Sequence, residues 1–363
     1  MVGFYDILQI KKHIKAMQFS PKFTITLSIA NALTSIEHTR GFLEAAILSE
    51  DWMAKMQARA LILEAHHTTH IEGTHLSLDQ SEKLLSGKKL SRVDVENVRE
   101  LLNYKKAFDF VSDYLVSQKP ITEALIREIH KKLVDDVRGN NAQPRQYRNV
   151  QNYVANSKTK EIIYTPPTAY EVPFLMAQLL AWIQNEQIIP AVLVSGIAQF
   201  QLVHIHPFLD GNGRTTRLLS TLCLYKFGYD FKKLFTISEY YDRNRANYYK
   251  AIQSVKDKNM DMTVWLEYFS KALETQMHEI QLKGTHAMKL AIMIAKYKLS
   301  KRQKQILQQL LETNEDFTIQ QYESFYPSIN RRTLQRDLSD LVEKKLIYQI
   351  GEKKVTHYRI NLD

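Results

Sequence analysis

The stretch His204–Arg217, HIHPFLDGNGRTTR, decides how the chain is read. Pro207 stops a preceding helix from continuing normally and favours extended backbone at His206. Gly211-Asn212-Gly213 makes a tight turn that can expose consecutive backbone N–H groups as an anion nest. A helix starting there adds its N-terminal dipole to the same spot. Arg214 and Arg217 are three residues apart on that helix, so both guanidiniums fall on one face near the nest. Asp210, just before it, is a hard oxygen ligand suited to Mg²⁺ bound alongside phosphates. His206 has the residue type of a general base at neutral pH. Taken singly, each feature has a bland reading: the turn can merely join helices, and His204 and His206 can be core or metal-bound imidazoles. Together they point to chemistry on a nucleotide or polyphosphate.

Around this segment the chain is short of turn-makers. Its 363 residues include 11 glycines and 9 prolines, where average usage would give roughly 25 and 18. An all-β fold needs a turn every ~8–12 residues, so a mainly α fold is expected. A hydrophobic content of 44% with 24% charged residues excludes wholesale disorder. The single cysteine, Cys223, excludes a disulfide framework and a multi-cysteine zinc site, and its leucine-rich surroundings mark it as core. The net charge of +10 keeps an anionic partner in view. The first residues lack an uninterrupted apolar run and a small-residue cleavage site. The most apolar stretch, IIPAVLVSGIAQF, is shorter than the ~20 residues that span a bilayer. A cytoplasmic protein with no membrane partner is the expectation.

Helical segments are predicted at 22–50, 52–67, 92–117, 123–137 (capped by Thr122), 171–186, 190–204, 212–227, 241–256 and 261–282, with a short helix opening at Asp79. Between 138 and 170 the helix signals lapse. Val150, Asn152 and Val154 alternate with Gln151 and Tyr153, and EIIYT ends at Pro166-Pro167, which predicts a β-hairpin over 145–165. The expected organisation is an N-terminal helical region (1–90), a core (91–282), a helical linker (283–300) and a C-terminal module (301–363). That module reads helix, helix, helix, then two short alternating runs around Gly351, the winged-helix order.

HPFLDGNGR matches without a mismatch the HPFx(D/E)GN(G/K)R signature of Fic-domain proteins, and Arg217 supplies the second arginine of its extended form. YRNVQNYV with the YTPP turn, and SEYYDRNRANYYKAI, also resemble the family, over most of residues 20–280. The resemblance implies a helical core with a hairpin flap and transfer of AMP from ATP to a Ser, Thr or Tyr hydroxyl of a target protein or of the chain itself. It makes His206 the base and Asp210 the Mg²⁺ ligand. Gly211, Asn212 and Gly213 become the phosphate cradle, and Arg214 and Arg217 the neutralisers of leaving pyrophosphate. Asn244, Tyr248 and Tyr249 fall on the adenosine side, although two adjacent tyrosines on a helix cannot both face the site. The flap would receive an extended target segment by β-augmentation. Phe208 is expected to anchor the loop in the core, and Thr216, where many relatives have glycine, to crowd the helix face. Relatives commonly dimerise, so a homodimer is among the implied partners.

Upstream, Thr68-x-x-x-Glu72-Gly73 matches the (S/T)xxxE(G/N) inhibitory motif of many Fic proteins. The match implies that Glu72 reaches Arg217 and blocks productive ATP placement. It also raises a second role for Glu72, removal of AMP. His66 and His70, four apart, lack a convincing third zinc ligand and read as helix-surface histidines.

In the C-terminal module, Leu334, Leu338, Leu341 and Val342 form the buried stripe of a recognition-like helix. Arg331, Arg332 and Arg336 project outward, with Lys353 and Lys354 in the wing. Eleven Lys/Arg stand against nine Asp/Glu over 301–363, a small surplus for a DNA reader. DNA binding, dimerisation and target docking stay open for it. An adenylyltransferase is thus the leading reading, and a DNA-binding regulator with a nucleotide-sensing Fic-like domain the alternative. A His204/His206/Asp210 metal hydrolase is the weaker third.

Overall fold

The computed structural model describes residues 19–116, 119–137, 141–155, 159–313, 316–351 and 356–361. The first residues, read above for a leader, and Lys353 and Lys354 lie outside them. The chain is mainly helical and divides into two compact units, residues 1–41 with 55–278, and residues 42–54 with 279–363. The 19–41 and 55–90 segments therefore cluster with 91–278 instead of standing apart.

Helices α1 (Leu27–Ala45) and α2 (Glu50–Ile71), the greater part of each in the first unit, precede a short α3 (Leu78–Leu85). A capping box starts α3: Ser77 accepts from the Gln80 backbone while Gln80 accepts from the Ser77 backbone. Then come α4 (Val95–Val116) and α5 (Glu123–Val134), the latter capped by the Thr122 side chain. After the hairpin, α6 (Val172–Asn185), α7 (Ala191–Ile205) and α8 (Asn212–Lys226) follow.

Helix α7 is buried from Val192 to Leu202, mostly apolar but with Ser195, Gln199 and Gln201 buried too, and α8 packs along it. A hydrogen bond from Ser195 Oγ to the Ser220 carbonyl, 2.6 Å, joins them deep in the core. This pair of helices frames the His206–Gly211 loop between them. Beyond α8, the predicted 241–256 helix is broken at Asn244 into α9 (Ile237–Arg243) and α10 (Arg245–Asp257). The predicted 261–282 helix and the 283–300 linker form one helix, α11 (Thr263–Lys296), because no glycine or proline turn interrupts it.

The hairpin is much shorter than its alternation suggested. Among the described residues, β1 (Val154–Ala155) and β2 (Ile162–Tyr164) are the segments that pair, antiparallel and with an irregular register. The preceding residues turn their polar groups toward other partners: Arg148 and Asn152 bond carbonyls of the 205–208 loop, and Gln151 bonds Pro166 O.

The second unit holds α12 (Lys301–Thr313), α13 (Ile319–Phe325), α14 (Arg331–Glu343) and an antiparallel pair, β3 (Ile347–Ile350) with β4 (His357–Ile360). Leu334, Leu338 and Leu341 of α14 are fully buried in its core with Leu307, Tyr322 and Ile347. Among the described residues no helix is long and apolar enough to cross a membrane.

Candidate active site

The His206 loop departs from the extended backbone expected before Pro207. His206 caps α7 in the left-handed region (φ 51°, ψ 58°), its N–H on Leu202 O. Such a conformation is costly for a residue with a Cβ and persists only where the surroundings enforce it. Two side chains supply much of that enforcement. Asn212 is buried, and its amide accepts from Phe208 N at 2.9 Å and donates to Phe208 O at 2.8 Å. Asn212 thus ties the loop to itself, and only its backbone N–H is left to meet an anion. Arg148, absent from the sequence-derived site, donates through Nε to His206 O at 2.9 Å, while its backbone N–H donates to Pro207 O at 2.9 Å.

Phe208 is fully buried, as expected, and stacks face to face on His130, with ring centroids 3.7 Å apart. His130 is a second residue that sequence reading missed. Its Nδ1 accepts from Arg145 N at 3.1 Å, so the proton sits on Nε2, which donates to Asp210 O at 3.0 Å. Burial pushes its pKa down to about 4, and the nearby Arg214 charge adds to that.

The His206 Nδ1 lies 3.3 Å from Val203 O, which can only accept. Nδ1 therefore carries the proton of the neutral ring and Nε2 its lone pair. Burial holds His206 below the ordinary histidine pKa against the opposing pull of Glu72 and Asp210, so the ring is neutral at pH 7. His204 has its Nδ1 2.7 Å from the Tyr164 hydroxyl of β2. Among the described residues no group of three or more His, Cys, Asp or Glu could by itself hold a metal ion.

At the start of α8, Gly211 has φ +75°, and a Cβ there would fall 2.7 Å from Val134 Cγ1. At Gly213 a Cβ would fall 2.1 Å from Glu72 Oε1. Glycine at 213 therefore lets the Glu72 carboxylate settle directly on the helix N-terminus. The same carboxylate accepts from Arg217 Nη2 at 2.6 Å. Thr68 completes the grip: its hydroxyl accepts from Arg217 Nε at 2.7 Å and its carbonyl from Nη2 at 2.9 Å. Burial disfavours the Arg217 charge, but Glu72 beside it more than compensates, and the pKa lies above the usual arginine value. Gly73, in the turn that follows, takes φ +105°.

Arg214 does not share the Glu72 contact. It is 1% exposed and bonds Glu100 Oε2 at 3.0 Å, with Asp210 Oδ1 at 3.9 Å. Its Nε is buried without a hydrogen-bond partner. Glu100, on α4, is a buried counter-charge that its own helix pattern did not single out. Asp210 Oδ1 accepts from Gly211 N at 2.6 Å. One carboxylate at an anion seat suits a Mg²⁺ ion whose remaining ligands are phosphate oxygens and water.

Of the adenosine-side candidates, the Tyr248 ring is 2% exposed and stacks on Tyr241 at 4.5 Å while its hydroxyl interacts with Arg217, and Tyr249 is half exposed. Asn244 marks the α9–α10 break, its amide donating to Tyr240 O at 3.1 Å. Thr216 is fully buried, and its hydroxyl has no partner.

Of the α2 histidines, His66 and His67 are buried, whereas His70 is partly exposed as expected, with 43% of its side chain accessible. His66 lies 3.0 Å from Ser81 Oγ, and His67 and His70 both reach Asp242 Oδ2, at 2.9 and 2.7 Å. Glu64, one turn before Thr68, is buried and accepts from Ser238 N at 3.1 Å and Tyr104 OH at 3.2 Å. Burial raises its pKa. Of the remaining candidates, Arg331 is exposed and pairs with Glu323 at 2.6 Å, while Arg332 and Arg336 are exposed on α14 of the second unit.

Residues 120–224 match the Fic/DOC family. Protein adenylyltransferase Fic of Drosophila grimshawi is 27% identical over 248 residues, 64% of this chain and 49% of that protein. Its counterpart in Drosophila yakuba is 29% identical over 54% of this chain and 39% of that protein. The chain thus spans about half the length of the curated relatives it matches, or less. A Fic family protein from Desulfovibrio desulfuricans shares the fold with a TM-score of 0.65 at 21% identity, covering 95% of this chain and 99% of that one. Fic-1 from C. elegans gives 0.58 at 23% identity, covering 72% and 73%.

His130 yields a prediction for stability. Its folded pKa lies below the unfolded one, so stability is fully present above about pH 6.5 and falls away toward about pH 4. The loss amounts to on the order of 3 kcal/mol for this group, and His66, also lowered to about 4, adds to it in the same window. Urea denaturation of wild type and His130→Gln at several pH values checks this. The variant should show a shallower decline, and an unchanged slope would refute it.

Proposed function

We propose that this chain is a protein adenylyltransferase, moving AMP from ATP to a Ser, Thr or Tyr hydroxyl of a target protein or of itself, and that Glu72 holds it inactive. One observation carries the reading: a carboxylate already fills the seat formed by the α8 N-terminus at Gly213 and the Arg217 guanidinium. A site that accommodates an anion so closely is suited to a phosphate. The family match at 120–224 and the names of the curated relatives agree with it.

In the reaction, His206 Nε2 takes the proton of the target hydroxyl. The freed oxygen bonds to the α-phosphorus of ATP, the bond from that phosphorus to the bridging oxygen breaks, and pyrophosphate leaves. Backbone N–H groups at Gly211–Gly213 cradle the phosphates, and Arg217 and Arg214 balance the charge that moves onto the leaving group. Asp210 would hold Mg²⁺, which supplies further charge neutralisation at the phosphates. With Glu72 in place, Arg217 is occupied and the chain rests.

Purified protein incubated with labelled ATP tests this. Glu72→Gly should label itself more than about tenfold faster than wild type, and adding His206→Ala should abolish the label. Equal rates for wild type and Glu72→Gly would refute the inhibition. Label surviving without His206 would refute the base assignment.

For the second unit we infer a winged helix that meets duplex DNA. In support, two of the three acidic residues of α14 are held by their own module, Asp337 accepting from Arg302 at 2.8 Å and Asp340 from Gln303 at 2.7 Å, while Glu343 at its C-terminal end is exposed. Arg332, Gln335, Arg336 and Ser339 are left as one exposed stripe at helical spacing. Arg332→Ala with Arg336→Ala should weaken duplex binding about tenfold or more at low salt. Fluorescence anisotropy at two salt concentrations measures it, and wild type that fails to bind would refute the reading.

A further inference from the structure

Arg148 has an unusual set of partners. It is 2% exposed, yet every hydrogen bond of its guanidinium goes to a backbone carbonyl. Nε donates to His206 O at 2.9 Å, Nη1 to Val150 O at 3.2 Å, and Nη2 to Pro167 O and, at 3.4 Å, to Ile205 O. Burying a guanidinium is costly unless several good acceptors replace its water. Here the acceptors come from two places. Ile205 and His206 belong to the C-terminal end of α7, where carbonyls lack helix partners and the helix dipole favours a cation. Val150 and Pro167 flank the hairpin on either side. One side chain therefore joins both feet of the flap to the residue that the reaction uses as base.

Two further bonds run the same way. Asn152 Nδ2 donates to Phe208 O at 3.0 Å, and the Tyr164 hydroxyl lies 2.9 Å from His204 O. Neither carries a charge or touches the His206 backbone. Arg148 alone among them fixes the peptide whose left-handed geometry aims the imidazole.

We propose that Arg148 is a positioning residue that locks the flap to the His206 backbone, so that a hydroxyl presented on the flap and the base that deprotonates it share one rigid frame. This rests on the AMP-transfer reading for its catalytic consequence, but not for its structural one. Arg148 touches neither the phosphate seat nor the nucleoside side. Its loss should therefore lower turnover and leave ATP binding largely alone. It also acts on the ring itself. The charged groups facing His206 are Glu72, Asp210 and Arg148, with Val203 O on Nδ1. Removing the one cation leaves only carboxylate charge facing the ring, Asp210 alone in a Glu72→Gly chain, and this favours the protonated ring.

The experiment uses the full chain carrying Glu72→Gly, with Arg148→Gln or Arg148→Lys added. Arg148→Gln should lower kcat for label transfer about 100-fold while KM for ATP stays within about twofold. Arg148→Lys, which restores charge but not the planar fork, should recover about tenfold of that loss. In parallel, histidine-selective ¹³C NMR, with the His206 signal assigned from His206→Asn, should show its titration midpoint raised in Arg148→Gln and restored in Arg148→Lys. A folded Arg148→Gln protein with unchanged kcat and unmoved midpoint would overturn the proposal, as would a loss lying wholly in KM. If Arg148→Gln does not fold, Arg148→Lys decides by the same kcat-against-KM split. If the parent transfers no AMP, the proposed activity fails and the NMR titration judges Arg148 by itself: a raised midpoint sustains it, an unmoved one overturns it.

Discussion

A guanidinium in the core must have an anion or its equivalent within reach, and Arg217 is 1% exposed. Helix α2 meets that demand from three directions, with the Thr68 hydroxyl, the Thr68 carbonyl and the Glu72 carboxylate. Much else follows from this pairing. It draws the end of α2 onto the start of α8, where Gly213 leaves room for the carboxylate. It brings His67 and His70 onto Asp242, which Arg245 also holds. An internal anion thus sits on the buried guanidinium beside the start of α8, which is the arrangement the proposed inhibition rests on.

The loop between α7 and α8 solves a different problem. The proposed base must be aimed without a regular helix or strand beneath it, and His206 adopts a left-handed backbone. Its stability comes from groups around it: Asn212 inside the loop, His130 stacked under Phe208 and bonded to Asp210 O, and Arg148 on the carbonyls. Burial favours the neutral form of both His130 and His206, one a fixed strut and the other the proposed proton acceptor.

Much of the site was legible in the sequence because its parts lie within fourteen consecutive residues, His204–Arg217. The helical class was legible too, from scarce glycine and proline. What stayed hidden depends on long-range partners. Arg148 and His130 bond backbone carbonyls, which have no residue signature. Glu100 finds Arg214 across a separation of 114 residues. His66 looks like a surface residue until Ser81 closes over it. Tyr248 and Tyr249 differ only in which way α10 faces, and the aromatic cluster around Tyr241 settles that by packing. The hairpin was overextended for a related reason: alternation signals strand, but Arg148 and Asn152 had partners elsewhere.

The central claim is that Glu72 and Arg217 form one energetically coupled pair. A double-mutant cycle with Glu72→Gln, Arg217→Gln and both together, read by urea denaturation at pH 7, tests it most directly. The account predicts a coupling energy of about 1–3 kcal/mol, the double variant being more stable than the sum of the single losses implies. Additive losses would contradict it, because the carboxylate would then rest beside the guanidinium without holding it.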